Sequence, residues 1–395
     1  MVIKRNDMIV RNSKNNYENE IIEKRIADIE QKTGSKLSHI KSGSLHPERL
    51  TGNIENLIGV TQIPLGIAGP LQINGDFANG LFYIPMATTE GSLVDSYTRA
   101  MMVCSMAGGI KTKVLKDEMH ITPVFLTDNV DKAVEIRAFI NDHFDDIKKV
   151  AEETTSHGKL LHINTRIFNR ELFVKFTFFT GDAMGLNMIN ISTNFACHYI
   201  AEHFNKIKFL LRSNLSSDKK ASFINIINGY GKRVYAECTL SAAMLKRYFK
   251  TDANTITTGY KIANYSQMQN GSVGLNQHFA NGLAALFIAT GQDVAQIVNG
   301  ACGWAISEVT EDNSLLVSAT IPNLLIGTVG GGTKVPCQRE ALDILGCYGS
   351  GKSKKFAEII AATILAGEIS LAAAMVHGDF IMAHQKKNDE IKKNL

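Results

Sequence analysis

Cysteine, tryptophan and proline are scarce in this 395-residue sequence, which has six, one and seven of them respectively. The cysteines (Cys104, Cys197, Cys238, Cys302, Cys337, Cys347) stand far apart without a CxxC pair. That excludes zinc-ligand spacing and gives no disulfide framework. Residues 1–13 are rich in Lys, Arg and Asn and lack an apolar core, so they do not read as a secretory leader, and a reduced, cytoplasmic setting is expected. Apolar runs such as 283–290 fall well short of the roughly 20 residues that cross a bilayer, so no membrane segment is expected. A dominant charge is lacking too. Lys plus Arg number 42 against 38 Asp plus Glu, a net charge of +4, too small to imply nucleic acid yet compatible with an anionic small molecule in one basic pocket. What remains is a globular composition, 45% hydrophobic and 20% charged, long enough for two or three domains.

Residues 19–32 place Ile21, Ile22, Ile26 and Ile29 at helical spacing among Glu and Lys, predicting an amphipathic helix stopped by Gly34 in an arm over residues 1–50. From Leu57 short apolar runs are cut by Gly and Pro, followed by a strand over 81–85. Between 123 and 211 the pattern shifts. Helices are expected over 129–143 and 145–155, then a strand over 171–179 with Leu172, Val174, Phe176 and Phe178 on one face, then a helix within 184–206. A strand follows over 233–238. Later, helical runs at 275–299 and 356–375, rich in Gly and Ala, flank a strand over 314–326. The fold class expected is α+β: a large domain (51–122 and 212–378) with a small α+β insertion (123–211), and a C-terminal flap and charged tail (379–395).

One motif misleads. Gly346 to Ser353 fits G-x-x-x-x-G-K-[ST], the nucleotide-phosphate loop. That loop needs a buried strand before it, whereas 336–345 reads as a short amphipathic helix, so a Gly/Ser/Lys connector is the better reading.

Five segments combine chemistry-bearing residues. In Met86-Ala87-Thr88-Thr89-Glu90-Gly91-Ser92-Leu93, Glu90 is either a first-turn residue favoured by the helix dipole or a proton donor kept protonated by burial. Asp218-Lys219-Lys220 is either a solvated cluster or a cation pair for an anionic ligand and a developing alkoxide. Asp293, interrupting an apolar run, caps a helix or joins a site. Residues 181–188 (Gly-Asp-Ala-Met-Gly-Leu-Asn-Met) form a strand-to-helix junction whose free N–H groups suit a phosphate, or a turn with core methionines. Residues 327–333 (Gly-Thr-Val-Gly-Gly-Gly-Thr) let backbone approach a flat ligand or make an ordinary turn. His384, near the C-terminus, is a surface residue or, if the tail folds over a site, a proton source for a leaving thiolate.

Together, from Glu55-Asn56-Leu57-Ile58-Gly59 to His384, these ordered motifs resemble the catalytic portion of the 3-hydroxy-3-methylglutaryl-coenzyme A reductase family, nearer its class I pattern. The resemblance implies reduction of a thioester by two hydrides, through a thiohemiacetal and an aldehyde, to an alcohol and free coenzyme A. It implies that Lys219 stabilises the oxygen's charge, Glu90 gives a proton, Asp293 sits between them, and His384 protonates the thiolate. Lys220, Lys261 and Asn281 are implied acyl-substrate contacts. Asp182, Met184, Asn187, Gly330, Gly331 and Thr333 are implied contacts to NADPH or NADH. A central helix in the large domain, a ferredoxin-like, non-Rossmann cofactor insertion, and a homodimer or larger assembly with active sites between subunits are also implied.

Departures narrow the reading. Ile121 stands where the family has an arginine for the substrate carboxylate, and Arg212 where it has a serine, so either Arg212 replaces the lost cation or the pocket takes a different acyl-coenzyme A. Thr154-Thr155-Ser156-His157-Gly158 has Ser156 where the archaeal type has arginine, which raises NADH as a candidate, although His157 and Lys159 remain for a 2′-phosphate. Ala383 replaces a common serine. A coenzyme A-binding homologue with little turnover is the reading from another class.

Overall fold

A computed structural model of the chain describes residues 9–12 and 15–377. Helix α1 (Asn19–Thr33) ends at Gly34, whose φ of 71° lies in the left-handed region that glycine adopts without strain. Ile22 and Ile26 pack on Leu50 and Leu57. Arg25, almost fully buried, donates to the carbonyls of Val10, Asn16 and Leu57 and so ties the arm to the body.

Strands β1 (Leu65–Gly75) and β2 (Asn79–Ala87) form an antiparallel hairpin, and α2 (Leu93–Met106) packs on it. Strand β3 (Ile110–Ile121) is the backbone of the molecule. Its first three residues pair with β1, and its last three pair with a second group of strands. Periodicity missed β3 because Lys111, Lys113, Lys116 and Asp117 alternate with only short apolar residues. Tertiary pairing, not apolar content, makes it a strand.

The second group comprises β4 (Val124–Phe125), helices α3 (Val130–Asp142) and α4 (Phe144–Glu152), β5 (Lys159–Phe168), β6 (Glu171–Phe179), α5 (Leu186–Glu202) and β7 (Phe209–Leu210). The strands run antiparallel in the order β7-β4-β6-β5. The predicted face of β6 is realised: Leu172, Val174, Phe176 and Phe178 are buried against helices in a core of their own, each contributing about 1.5–3 kcal/mol. Ile121 belongs to this same core.

Helix α6 (Phe223–Asn228) leads to β8 (Gly231–Leu240), which pairs with β3, and through α7 (Ala242–Met244) to α8 (Ala253–Gln269). The helix expected over 275–299 is broken. Helix α9 (Phe279–Thr290) stops at Gly291 (φ 68°), and only the short α10 (Ile297–Gly300) follows. Asp293 lies in the gap and caps a single 3-10 turn. Strands β9 (Trp304–Val309) and β10 (Leu315–Leu324) complete the sheet beside β8, and α11 (Pro336–Ile344) precedes α12 (Ser353–His377).

Helix α12 crosses the large core. It is long and apolar enough to span a membrane, and 78% of that stretch is buried in the protein. The expectation that no apolar run approaches membrane length overlooked it, because Lys354, Lys355, Glu358 and Glu368 divide the run. Gly367 of α12 and Gly282 of α9 both press on Tyr97, where a Cβ would come within 2.4 and 2.2 Å of the ring system. Small residues thus let three helices meet.

Candidate active site

Glu90 sits where β2 turns into α2. Its amide donates to Thr88 Oγ1 at 2.9 Å, and Ser92 adopts φ 74° to redirect the chain. Asn281, in the first turn of α9, donates from Nδ2 to Glu90 Oε2 at 2.9 Å, and both line an open cleft of about 430 Å³. The burial expected around Glu90 is absent within one chain: the side chain is exposed.

Lys219 lies on the loop between β7 and α6. Its Nζ is 2.8 Å from Asp293 Oδ2. Asn299, wholly buried, accepts from the Lys219 amide at 2.7 Å and donates to the Ser217 carbonyl at 3.1 Å. Asn225 donates to the Ser216 carbonyl. Asp218 is held from both sides, by Arg212 at 2.8 Å and Gln296 at 2.8 Å. Arg212 also donates to Asn190 Oδ1 of α5 at 3.2 Å. Reading the sequence found the lysine, the acid and Arg212 but missed Asn299, Gln296 and Asn225. Their only signal is amide side chains in apolar surroundings, which must be satisfied if buried.

Lys219 and Asp293 therefore meet, as do Glu90 and Asn281, but the two pairs sit at opposite ends of α9. Within one chain Asp293 touches Lys219, and Glu90 touches Asn281. Lys220 is exposed and donates to the Asp218 carbonyl, and Lys261 is exposed on α8 over the Tyr265 ring. His384 lies outside the described residues, as do all of 379–395.

At the start of α5, Gly181 (φ 66°) and Gly185 (φ 87°) shape the turn. The Asp182 carboxylate accepts from the amides of Gly351, Lys352 and Ser353 at 2.7, 3.1 and 3.0 Å. Burial pushes its carboxyl up, but these amides together hold it below the usual range. The phosphate-loop lookalike thus follows helix α11 rather than a strand, and its amides are filled by the chain's own carboxylate. The Asp182 oxygens thus serve the start of α12. Gly327 backs onto this turn so closely that a Cβ would meet Met184 N at 2.7 Å. Gly330 (φ 75°) and Gly331 (φ 53°) have open space where a side chain would stand, and Thr333 Oγ1 donates to the Gly330 carbonyl. Met184 is half-buried and Asn187 exposed beside them. Ser156 Oγ and His157 Nδ1 lie 2.7 Å apart in an exposed turn whose Thr155 hydroxyl contacts Met188 of α5. Lys159 is paired with Glu152 at 3.0 Å.

This arrangement of layers is known from solved structures. The class II 3-hydroxy-3-methylglutaryl-CoA reductase from Streptococcus pneumoniae, bound to NADPH in open conformations, matches with a TM-score of 0.69 at 20% identity, covering 88% of this chain and 82% of that one. The fold is thus one carried by coenzyme A thioester reductases. Sequence comparison narrows this further. A model of the family described as Hydroxymethylglutaryl-coenzyme A reductase matches residues 21–389. The 3-hydroxy-3-methylglutaryl-coenzyme A reductase of Methanocaldococcus jannaschii is 46% identical over 91% of this chain and 90% of that protein. The protein of the same name from Pyrococcus horikoshii is 44% identical over 90% and 89%. The chain belongs to the hydroxymethylglutaryl-coenzyme A reductase family.

Proposed function

We propose that this chain reduces 3-hydroxy-3-methylglutaryl-coenzyme A to mevalonate and free coenzyme A, at sites completed between two copies of the chain. The Lys219–Asp293 pair carries the reading, since it is an ammonium fixed by a carboxylate on a loop whose backbone is itself pinned by buried amides. Lys219 donates an N–H to the thioester oxygen as negative charge develops there, and Asp293 orients the ammonium. Hydride addition to the carbonyl carbon gives a thiohemiacetal. Its C–S bond breaks to release thiolate, which His384 protonates, and the aldehyde takes a second hydride. Glu90, oriented by Asn281, supplies the proton to the final alkoxide. A nicotinamide cofactor supplies both hydrides when bound.

The chain's residues fit that cofactor. The open left-handed backbone at Gly330 and Gly331 admits a flat group, and the N-terminus of the 17-residue α5 offers free amides to a pyrophosphate. Met184 backs onto Gly327, and the turn carrying Ser156 and His157 reaches α5 through Thr155; this reading assigns these, with Asn187 and Thr333, to the cofactor. Both NADPH and NADH are within this reading, because no arginine stands in the 154–158 turn. The antiparallel order β7-β4-β6-β5 and the separate core support a ferredoxin-like cofactor insertion over 123–211 in a large domain of 51–122 and 212–378. Arg212 supplies the cation for the substrate carboxylate. The buried Ile121 cannot touch a ligand, whereas Arg212 is exposed and paired with Asp218, the residue before Lys219.

The test follows oxidation of NADPH and of NADH with this thioester, for the wild type and Lys219→Ala. Turnover that falls on the order of a thousandfold in the variant, with cofactor binding kept, is expected. Turnover only with another acyl-coenzyme A would redirect the substrate. Silence with every thioester would leave a coenzyme A-binding homologue.

A further inference from the structure

We infer that the pocket between the open face of the small sheet and the 213–228 segment binds a small oxyanion of the phosphate class, apart from the reductive site. Strand alternation decides what faces it. Asn164 pairs with Lys175 and Arg166 with Phe173 across β5 and β6, and His120 of β3 pairs with Thr177. All project away from the Leu172-Val174-Phe176-Phe178 core. Leu215, Ile224 and Asn228 close the other side of a cavity of about 320 Å³, large enough for a compact phosphorylated molecule and a few waters.

The charge in this pocket is only partly compensated. Lys116 is paired with Glu118 at 2.9 Å, but among the described residues no ion pair or hydrogen bond engages Lys175 or Arg166. Burial, and then the like charges of Lys116 and Arg166 against a partial offset from Glu118, hold the Lys175 ammonium below its usual range. His120 is pushed down to about 3, by burial first and then by Lys175, Lys116 and His162. It is therefore neutral at pH 7 and stands edge-on to Tyr230 at 4.8 Å. A half-buried, unpaired cation raises the free energy of the folded chain. An uncharged residue would serve β6 better if packing were the only demand. Two cations, a neutral imidazole and the side-chain amides of Asn164 and Asn228 form a donor-rich set that matches the acceptor oxygens of a phosphate. The site does not share the other anion-facing groups. The turn carrying Ser156 and His157 contacts α5, on the opposite face of the sheet, through Thr155, and Lys219 is held by Asp293.

Calorimetric titration of the full chain with inorganic phosphate at low salt tests this without reference to turnover. Saturable binding is expected, weakened at least tenfold by Lys175→Met and severalfold by Arg166→Gln, retained in Lys175→Arg, and unchanged in His157→Ala. Thermal melting of Lys175→Met should be no lower than wild type, since an unpaired cation is removed. Absence of saturable binding, binding indifferent to Lys175→Met, or binding lost in His157→Ala would each overturn the assignment.

Discussion

Lys219 has φ 56°, in the left-handed region, and Asn214 and Ser217 of the same loop share it at 64° and 52°. Three such residues within six positions cost about 1–3 kcal/mol each unless their surroundings hold them. Asn299 does the holding at Lys219, by accepting its amide and donating to Ser217. Asn299→Ala leaves the part-buried Lys219 amide without its partner, while the Ser217 carbonyl keeps only the Lys220 amide and Asn225. Turnover is therefore expected to fall more than tenfold, with about 1–3 kcal/mol of stability lost, as read from steady-state rates and urea unfolding. A fall in stability with kcat intact would show that the loop does not depend on Asn299 for its geometry. Arg212→Ser tests the neighbouring claim. If the guanidinium holds the substrate carboxylate, KM for the thioester should rise about tenfold or more while kcat changes less. An unchanged KM would remove Arg212 from the substrate site.

Helix α12 works through two buried glutamates. Glu358 accepts from the amides of Asp76, Phe77 and Ala78 at the β1–β2 turn. Glu368 accepts from Gln277 and His278 at the head of α9, one turn before Asn281. Burial raises Glu368 to about 7, against the pull of those two amides. The groups facing it are the Tyr97 and Tyr260 hydroxyls, both pushed up by burial, and His278, which burial pushes down, away from the pH at which Glu368 titrates. The folded state thus keeps the proton over a range in which the unfolded chain, near 4.5, has released it. That contribution is complete below about pH 4.5 and is lost as pH rises to about 7, a change of about 3 kcal/mol. Unfolding of Glu368→Gln should lack this dependence, so the difference between wild type and variant should move steadily between pH 4.5 and 7. Parallel profiles would show that Glu368 does not titrate there. Such carboxylates also mark what a sequence conceals. The β6 face, helix α1 with its Gly34 stop and the amphipathic α11 were legible because each follows a local period. Strand β3, the break after Gly291 and the amides around Lys219 were not, because each depends on partners distant in sequence. At the site, residue types announced Lys219, Asp293 and Glu90, while the exposure of Glu90 followed only from the packing.

At the scale of the whole molecule, the twelve residues of α9 span about 18 Å, and they separate the Glu90–Asn281 pair from the Lys219–Asp293 pair. In the proposed mechanism a single carbonyl would have to meet both ends, and one chain alone would then supply two half-sites. A twofold dimer resolves this if the Glu90 end of one copy faces the Lys219 end of the other, since the symmetry then builds two complete sites from four halves. Complementation tests the arrangement directly. Glu90→Gln and Lys219→Ala should each be inactive when made alone. Co-expressed in one cell and assorted at random, half of the dimers would be mixed. Each mixed dimer would hold one site carrying both changes and one carrying neither, so activity should recover to about a quarter of wild type. Purification through different tags on the two variants should raise that to about half. Activity that stays at the level of the single variants, in mixed dimers verified by mass, would show that Glu90 and Lys219 of the same chain serve one site. Some movement of α9 would then have to bring them together.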